Sequence, residues 1–356
     1  MAGGLFELRR DDITGWWVAV VVDREFERAR FALPARRVRT PDEDCQNCAS
    51  ARDLHAWIRV LKPQAFTVAG GELDRRERDS EPTADDSRDS REPGLGLIGD
   101  IGSWETIAAP YRHHMALGME SEAIVIEMLR LARDRIRKAR ADGGTSYLQV
   151  VQNWGAQAGA RTNHLCIDMY DLPHIPHRIG EELGGAARYV IREGVCPWCR
   201  LVDVEVARRD RMVFEDAASV CFAPYASRSP FELWVVPRHH EADFGSATDE
   251  QLTSAAETLQ KVTRLLDALD GPAYNLVLHT APLHERVSET YHWHWEIHPR
   301  LRAIAGLELG TGLPVNPVSP EEAVDELLAA TRKASGATAL DDGPTEGRSW
   351  DDFSRR

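Results

Sequence analysis

The sequence predicts an α+β fold made of one unit used twice, and three observations carry that prediction. Pairs of the form C-x-x-C stand at Cys45/Cys48 and at Cys196/Cys199, one pair in each half of a 356-residue chain. Each pair is followed by Arg-His-His (Arg112-His113-His114 and Arg238-His239-His240) and then by a strand-like histidine segment, Asn163 to Asp168 and Tyr291 to Glu296. The spacings agree: 50 residues separate His114 from His164, and 52 separate His240 from His292. From Cys48 to His114 the step is 66 against 41 from Cys199 to His240, and the 25 extra residues match a polar stretch, about 70–94, found only in the first half.

The elements follow in order. Residues 14–22 and 57–69 are rich in β-branched and aromatic side chains and read as strands. The segment at about 70–95 is almost all charged, Ser, Pro or Gly, so it buries too little apolar surface to order and reads as a disordered insertion. Ser121 to Ala141 has apolar residues at helical spacing and a basic end that suits a helix C-terminus. Its counterpart is Thr248 to Leu269, where Thr248 and Gln251 form a capping box. Strand-like runs recur at Ser146–Gln152 and Ala273–His279, with 17 residues from Tyr147 to His164 and 18 from Tyr274 to His292. A last helix begins near Ser319-Pro320, with Ser as N-cap and Pro in the first turn. The expected organisation is a first repeat over 1–187, a second over 188–335, and a mobile tail over 336–356.

Composition narrows the function. A net charge of −14 argues against a generic nucleic-acid surface, so an anionic ligand needs a local cluster of Arg, His and backbone N–H groups. No apolar run is long enough for a membrane span, and the first residues lack the order of a signal peptide. A cytoplasmic protein is expected, with neither membrane nor nucleic acid as partner. Four of six cysteines sit in the two C-x-x-C pairs, which in a reducing compartment points to metal or redox chemistry.

Zinc takes four Cys or His ligands in a tetrahedron, and C-x-x-C clamps two thiolates onto one ion. The expected sets are Cys45, Cys48, His114, His164 and Cys196, Cys199, His240, His292. Within each His-His pair the residues leave the ligand open; a redox dithiol or simple packed thiols are the competing readings. The loop Asn153 to Arg161 follows a strand, and its glycines, Gly159 among them, let backbone N–H groups approach a phosphate. Asn153 and Arg161 can add side-chain donors. His292, His294 and Glu296 alternate and so share one strand face, with Trp293 and Trp295 on the packed side.

These residues resemble a known family. Asn153 to His164, together with Ala226 to Phe244, Tyr291 to Arg300, Gly306 to Gly312 and Asn316 to Glu322, resembles the galactose-1-phosphate uridylyltransferases of the histidine-triad superfamily. The likeness spans most of residues 30–335. It implies two fused half-barrel repeats of antiparallel sheet with packed helices, often a homodimer, and transfer of a nucleoside monophosphate from a nucleotide sugar through a phospho-histidine. The family's His-Pro-His-x-Gln reads His164-Leu-Cys166-Ile-Asp168 here, and Arg161 stands where a phosphate-binding Ser is usual. The motif is therefore degenerate. His164 matches the zinc ligand, Cys166 the nucleophile position and Asp168 the Gln position.

A thiolate can attack phosphorus, but Asp168 opposes both its ionisation and the binding of a diphosphate. Three expectations follow: Cys166 replaces the nucleophile, His294 with Glu296 serves instead, or transfer proceeds without a covalent intermediate. The expected function is a nucleotidyltransferase-like enzyme on a nucleotide-sugar or related phosphate substrate. Its alternative is a diverged zinc-containing nucleotide-binding protein, hydrolase or phosphorylase.

Overall fold

The structure, a computed structural model, describes residues 6–21, 45, 59–65, 103–113, 115–267 and 269–337. The expected insertion and most of the expected tail fall outside these residues, as do Cys48 and His114.

Nine strands form one sheet in the order β3-β4-β6-β5-β10-β11-β9-β8-β7. They are β3 (Arg59–Ala65), β4 (Ser103–His113), β5 (Tyr147–Trp154), β6 (His164–Leu172), β7 (Met212–Glu215), β8 (Ser219–Phe222), β9 (Leu233–Pro237), β10 (Tyr274–His279) and β11 (His294–Pro299). All neighbours run antiparallel. The first four strands lie on one side and the last five on the other, joined only where β5 meets β10. There Asn153 faces Asn275 and Val151 faces Val277, so the middle of the sheet is built from like residues of the two halves. A smaller sheet, β1 (Phe6–Arg10), β2 (Trp17–Val21) and β12 (Val315–Asn316), joins the N-terminal hairpin to a late segment.

Period-two alternation gives the large sheet two different faces. Val150, Leu165, Ile167, Leu276, Leu278, Trp295 and Ile297 are buried on one face against α1 (Glu122–Asp142) and α4 (Asp249–Asp267). Phe244 meets both Trp293 and Trp295 edge-on, at 5.1 and 6.1 Å between centroids, as expected for the packed side of the His-x-His segment. Thr248 accepts from Gln251 N at 3.2 Å while Gln251 accepts from Thr248 N at 2.8 Å, the capping box that starts α4. Ser319 and Glu322 cap α6 (Pro320–Ala337) in the same way.

The opposite face is polar. Helices α2 (His177–Glu193) and α3 (Pro197–Arg208), with Ile13 of the N-terminal hairpin, cover its second-half side through Trp198, Trp234, Val236 and Tyr291. Helix α2 runs across residue 187, the boundary expected between the repeats. One short helix, α5 (Gly306–Thr311), leads into β12.

The hairpin seats on α2 through a glycine. A Cβ at Gly185 would fall on the backbone carbonyl of Ile13, a group that has no rotamer to change. Gly185→Ala is expected to cost about 2 kcal/mol or more, in the range of overpacking a closed contact. Urea unfolding checks this; an unchanged midpoint would mean that the hairpin is not held against α2.

Candidate functional site

The polar face of the sheet carries the chemistry-bearing side chains in adjacent rows. On β6, Leu165, Ile167 and Met169 enter the core, which turns His164, Cys166 and Asp168 to the other side. On β11, Trp295 and Ile297 do the same for His294, Glu296 and His298.

In the second half, one ligand atom each from Cys196, Cys199, His240 and His292 lies within 4.8 Å of all the others. Cys199 Sγ stands 3.2 Å from His240 Nδ1 and 3.6 Å from His292 Nδ1. Those separations suit two ligands of one tetrahedral ion, with bonds of about 2.3 Å to sulfur and about 2.0 Å to nitrogen. His240 turns its Nε2 to the Ser288 carbonyl at 2.6 Å, the outer contact that orients a ligating imidazole. Cys196 sits at the N-cap of α3 and accepts from Cys199, which draws its pKa down and raises that of Cys199.

In the first half, Cys45, His113 and His164 come together by the same criterion. The rings of His113 and His164 meet edge-on at 6.1 Å, as those of His240 and His292 do at 5.3 Å. His164 Nε2 reaches the Ala109 carbonyl at 2.6 Å, leaving Nδ1 toward the cluster. The sequence favoured His114 of the His-His pair, which lies outside the described residues; among these the cluster contains His113. Strand β4 pairs His113 directly with His164, and that register was not readable in advance.

Beside this cluster lie the residues that depart from the His-Pro-His pattern. Asp168 Oδ1 accepts from Thr106 Oγ1 at 2.6 Å, Arg161 Nη2 at 3.0 Å and Trp104 Nε1 at 3.2 Å. Arg161 lies flat over the Trp104 ring, its Cζ 3.8 Å from the centroid. Cys166 is half-buried, and burial first and the Asp168 charge second push its thiol up to about 12. Arg161 offsets only part of this. Asn153 stands near the end of β5, and the loop that follows it turns through Gly155 and Gly159, with φ of 82° and 78°, around a single 3-10 turn of Ala156–Ala158. Those positive values are open to glycine at little cost.

His294 is enclosed. It is 0% exposed, with Trp198, Trp234 and His279 ring centroids at 5.5, 5.0 and 5.0 Å. Burial, and then the charge of His279, draw its ring down to about 4. Glu296 lies 3.9 Å from His294 but is committed elsewhere, to Arg178 at 2.7 Å and Arg228 at 2.8 Å. Glu182, His279, His294 and Glu296 form a further group of closely set donor atoms. The two arginines already balance its carboxylates. An attacking imidazole must reach phosphorus, and nothing in this arrangement opens His294 to a ligand.

No protein-family profile matches the chain. The ADP-glucose phosphorylase of Arabidopsis thaliana is 27% identical over 328 residues, covering 89% of this chain and 90% of that one. The galactose-1-phosphate uridylyltransferase of Thermotoga maritima is 28% identical over 64% of this chain and 73% of its own length. A solved uridylyltransferase superposes with a TM-score of 0.70 at 25% identity, over 92% of this chain and 99% of that one. The chain is similar to galactose-1-phosphate uridylyltransferases and to an ADP-glucose phosphorylase. Its α+β fold, expected from the repeated pattern, is the fold of those neighbours.

The structure adds residues that the sequence reading passed over. Trp104 and Thr106 hold Asp168, but their closeness depends on the β4–β6 register, in which Thr106 faces Asp168. Glu182 and His279 pair at 3.0 Å across 97 residues, with no local motif to flag either. Burial lowers the pKa of His279, but Glu182 and Glu296 outweigh it and raise the ring to about 9. The sign follows: the folded state keeps a proton that the unfolded chain releases near 6.5, so this stabilisation is full below about pH 6.5 and lost as pH rises through about 9. His279→Gln is therefore expected to flatten the pH dependence of unfolding free energy between pH 7 and 9, a slope on the order of 1 kcal/mol per pH unit. Parallel slopes in variant and parent would place the titrating group elsewhere.

Proposed function

We propose that this protein transfers a nucleoside monophosphate from a nucleotide sugar to a phosphate-bearing acceptor, at the first-half site and without a covalent intermediate. The observation that carries the reading is the face of β6, where Arg161 and Asp168 stand as a fixed pair beside Cys166 and the Asn153 loop. Arg161 is half-exposed, so its other N–H groups are open to a diphosphate while Nη2 is held by Asp168 and Thr106. Asp168 uses one oxygen for all three donors; its Oδ2 has no partner among the described residues and is the group placed to take a proton from the acceptor. In that step the acceptor oxygen forms a bond to phosphorus, the bond to the sugar phosphate breaks, and the proton passes to Asp168.

A thiol held protonated beside a carboxylate is a poor nucleophile, which argues against Cys166. His294 is roofed over, which argues against the second half. The likeness to an ADP-glucose phosphorylase over nine-tenths of both chains makes ADP-glucose with inorganic phosphate the first pair to test. The rival reading, a binding protein without transfer chemistry, is favoured by one observation, the negative Asp168 in a site meant for anions.

Incubation with ADP-glucose or UDP-glucose, together with phosphate or a hexose 1-phosphate, is expected to give turnover while the intact mass of the protein stays unchanged. Cys166→Ala is expected to keep activity within a few-fold, whereas Asp168→Asn loses about a hundredfold or more, the scale of a general base. A nucleotidyl adduct that vanishes in Cys166→Ala would overturn the non-covalent route. Binding without turnover would support the rival.

We further propose zinc in both clusters, held by Cys196, Cys199, His240 and His292 and by Cys45, Cys48, His113 and His164. The second-half donor set and its Sγ–Nδ1 separations fit that ion, and three of the four first-half donors lie together among the described residues. Bound zinc supplies folding free energy in each half. Elemental analysis after purification without chelator is expected to give about two zinc per chain, and about one in Cys199→Ser. A parent value near zero would remove metal from the account. The resemblance also implies a homodimer, which light scattering tests, and a cytoplasmic protein; no described helix is long and apolar enough to cross a membrane.

A further inference from the structure

The seam between the two halves carries a chain of side-chain hydrogen bonds that ends at the candidate phosphate loop. Arg300 Nε donates to Asn275 Oδ1 at 2.5 Å. Asn275 Nδ2 donates to Asn153 Oδ1 at 2.5 Å and to the Ala158 carbonyl at 2.8 Å. The ends of this chain set its direction. A guanidinium has no acceptor, so the atom of Asn275 facing Arg300 must be the oxygen. A carbonyl has no donor, so the atom facing Ala158 must be the amide nitrogen. The orientation of Asn275, ordinarily ambiguous, is therefore over-determined. With both of its protons used, Asn275 fixes Asn153 with the oxygen inward, and Asn153 Nδ2 is left without a partner among the described residues.

The surroundings hold the relay in register. Asn275 is buried and pairs with Asn153 across the β10–β5 ladder. Arg300 N donates to the Ala273 carbonyl at 2.7 Å, and a Cβ on Gly155 would meet Ala273, so loop and relay close on the same residue of the second half.

We propose that Asn275 and Arg300 are positioning residues that fix the Asn153 carboxamide with its N–H groups presented to the anionic part of the substrate. This rests on the phosphate-site reading of the Asn153 loop. It gives the second half a part in chemistry located in the first. A carboxamide turned the other way would present oxygen to a diphosphate and repel it.

Asn275→Asp tests the direction. An aspartate accepts only, so it keeps its ion pair with Arg300 but compels Asn153 to donate inward and to face the ligand with oxygen. Its KM for ADP-glucose is expected to rise about tenfold or more, with kcat changed less, the size of one hydrogen bond to a charged group. In an Asn153→Ala background the same change is expected to alter KM by less than about twofold, because the group being turned is gone. Arg300→Met is expected to raise KM several-fold and Arg300→Lys to restore most of it. Equal losses from Asn275→Asp in both backgrounds, or no rescue by lysine, would overturn the relay. A readout without ligand separates this from the substrate reading: the Asn275 side-chain NH2 signals in 15N NMR are expected to exchange slowly with solvent in the parent and faster in Arg300→Met. Rapid exchange in the parent overturns the relay even if ADP-glucose binds; slow exchange in a parent that binds no nucleotide sugar upholds the relay and rejects the substrate reading.

Discussion

Everything on the polar face depends on the pairing of β5 with β10. Side-chain direction alternates along a strand, so a one-residue slip at this seam would turn every side chain of one half over relative to the other. The slip is resisted by apolar burial on one side, where Val150, Leu276 and Leu278 enter one core shared by both halves. On the other side the Asn153–Asn275 contact exists only in this register. Two repeats that might have packed as separate bodies are thereby one sheet with one wet face.

That shared face makes the halves comparable residue by residue. Asp168 and Glu296 stand at the same step of their motifs, and each is a carboxylate tied to arginine. Their surroundings differ. Glu296 lies beneath α2 and α3 with two guanidiniums and His279 around it; burial pushes its carboxyl up, but Arg228, His279 and the His298 hydrogen bond outweigh that and hold it well below the usual carboxylate range. Asp168 is reached by one half-exposed guanidinium and two neutral donors. The first arrangement satisfies its charges internally and closes; the second keeps a cation at the surface. A site for an anionic substrate needs donors that still face solvent, and of these two described clusters the one around Asp168 keeps such a donor in Arg161.

Much of the architecture was legible in the sequence because it rests on periodicity and on local chemistry. The capping residues Ser319 and Thr248, the apolar stripes of α1 and α4, and the split of His294 from Trp295 across a strand all follow from spacing within a few residues. The repeated C-x-x-C and His-His spacing announced the duplication for the same reason. What stayed hidden depends on strand register and on contacts between distant segments. His113 enters the described first-half cluster because a bulge between Ala108 and His113 resets the pairing of β4 with β6; His114 lies outside the described residues. Enclosure of His294 comes from Trp198 on a helix and Trp234 on another strand, neither of which marks its target in the sequence. Motif spacing said that His294 and Glu296 share a face; only packing says that the face is covered there.

The departures at Arg161, Cys166 and Asp168 make more sense together than singly. An aspartate alone at this place would repel a diphosphate, and an arginine alone would be a long, mobile cation beside a loop that needs order. Paired, they leave the local charge near neutral, and the Trp104 ring beneath the guanidinium limits where it can go. Thr106 and Trp104 then hold the carboxylate, so the arginine is fixed at both its face and its edge. On the proposed non-covalent reading, the fixed cation and the fixed carboxylate are the groups that direct transfer would use.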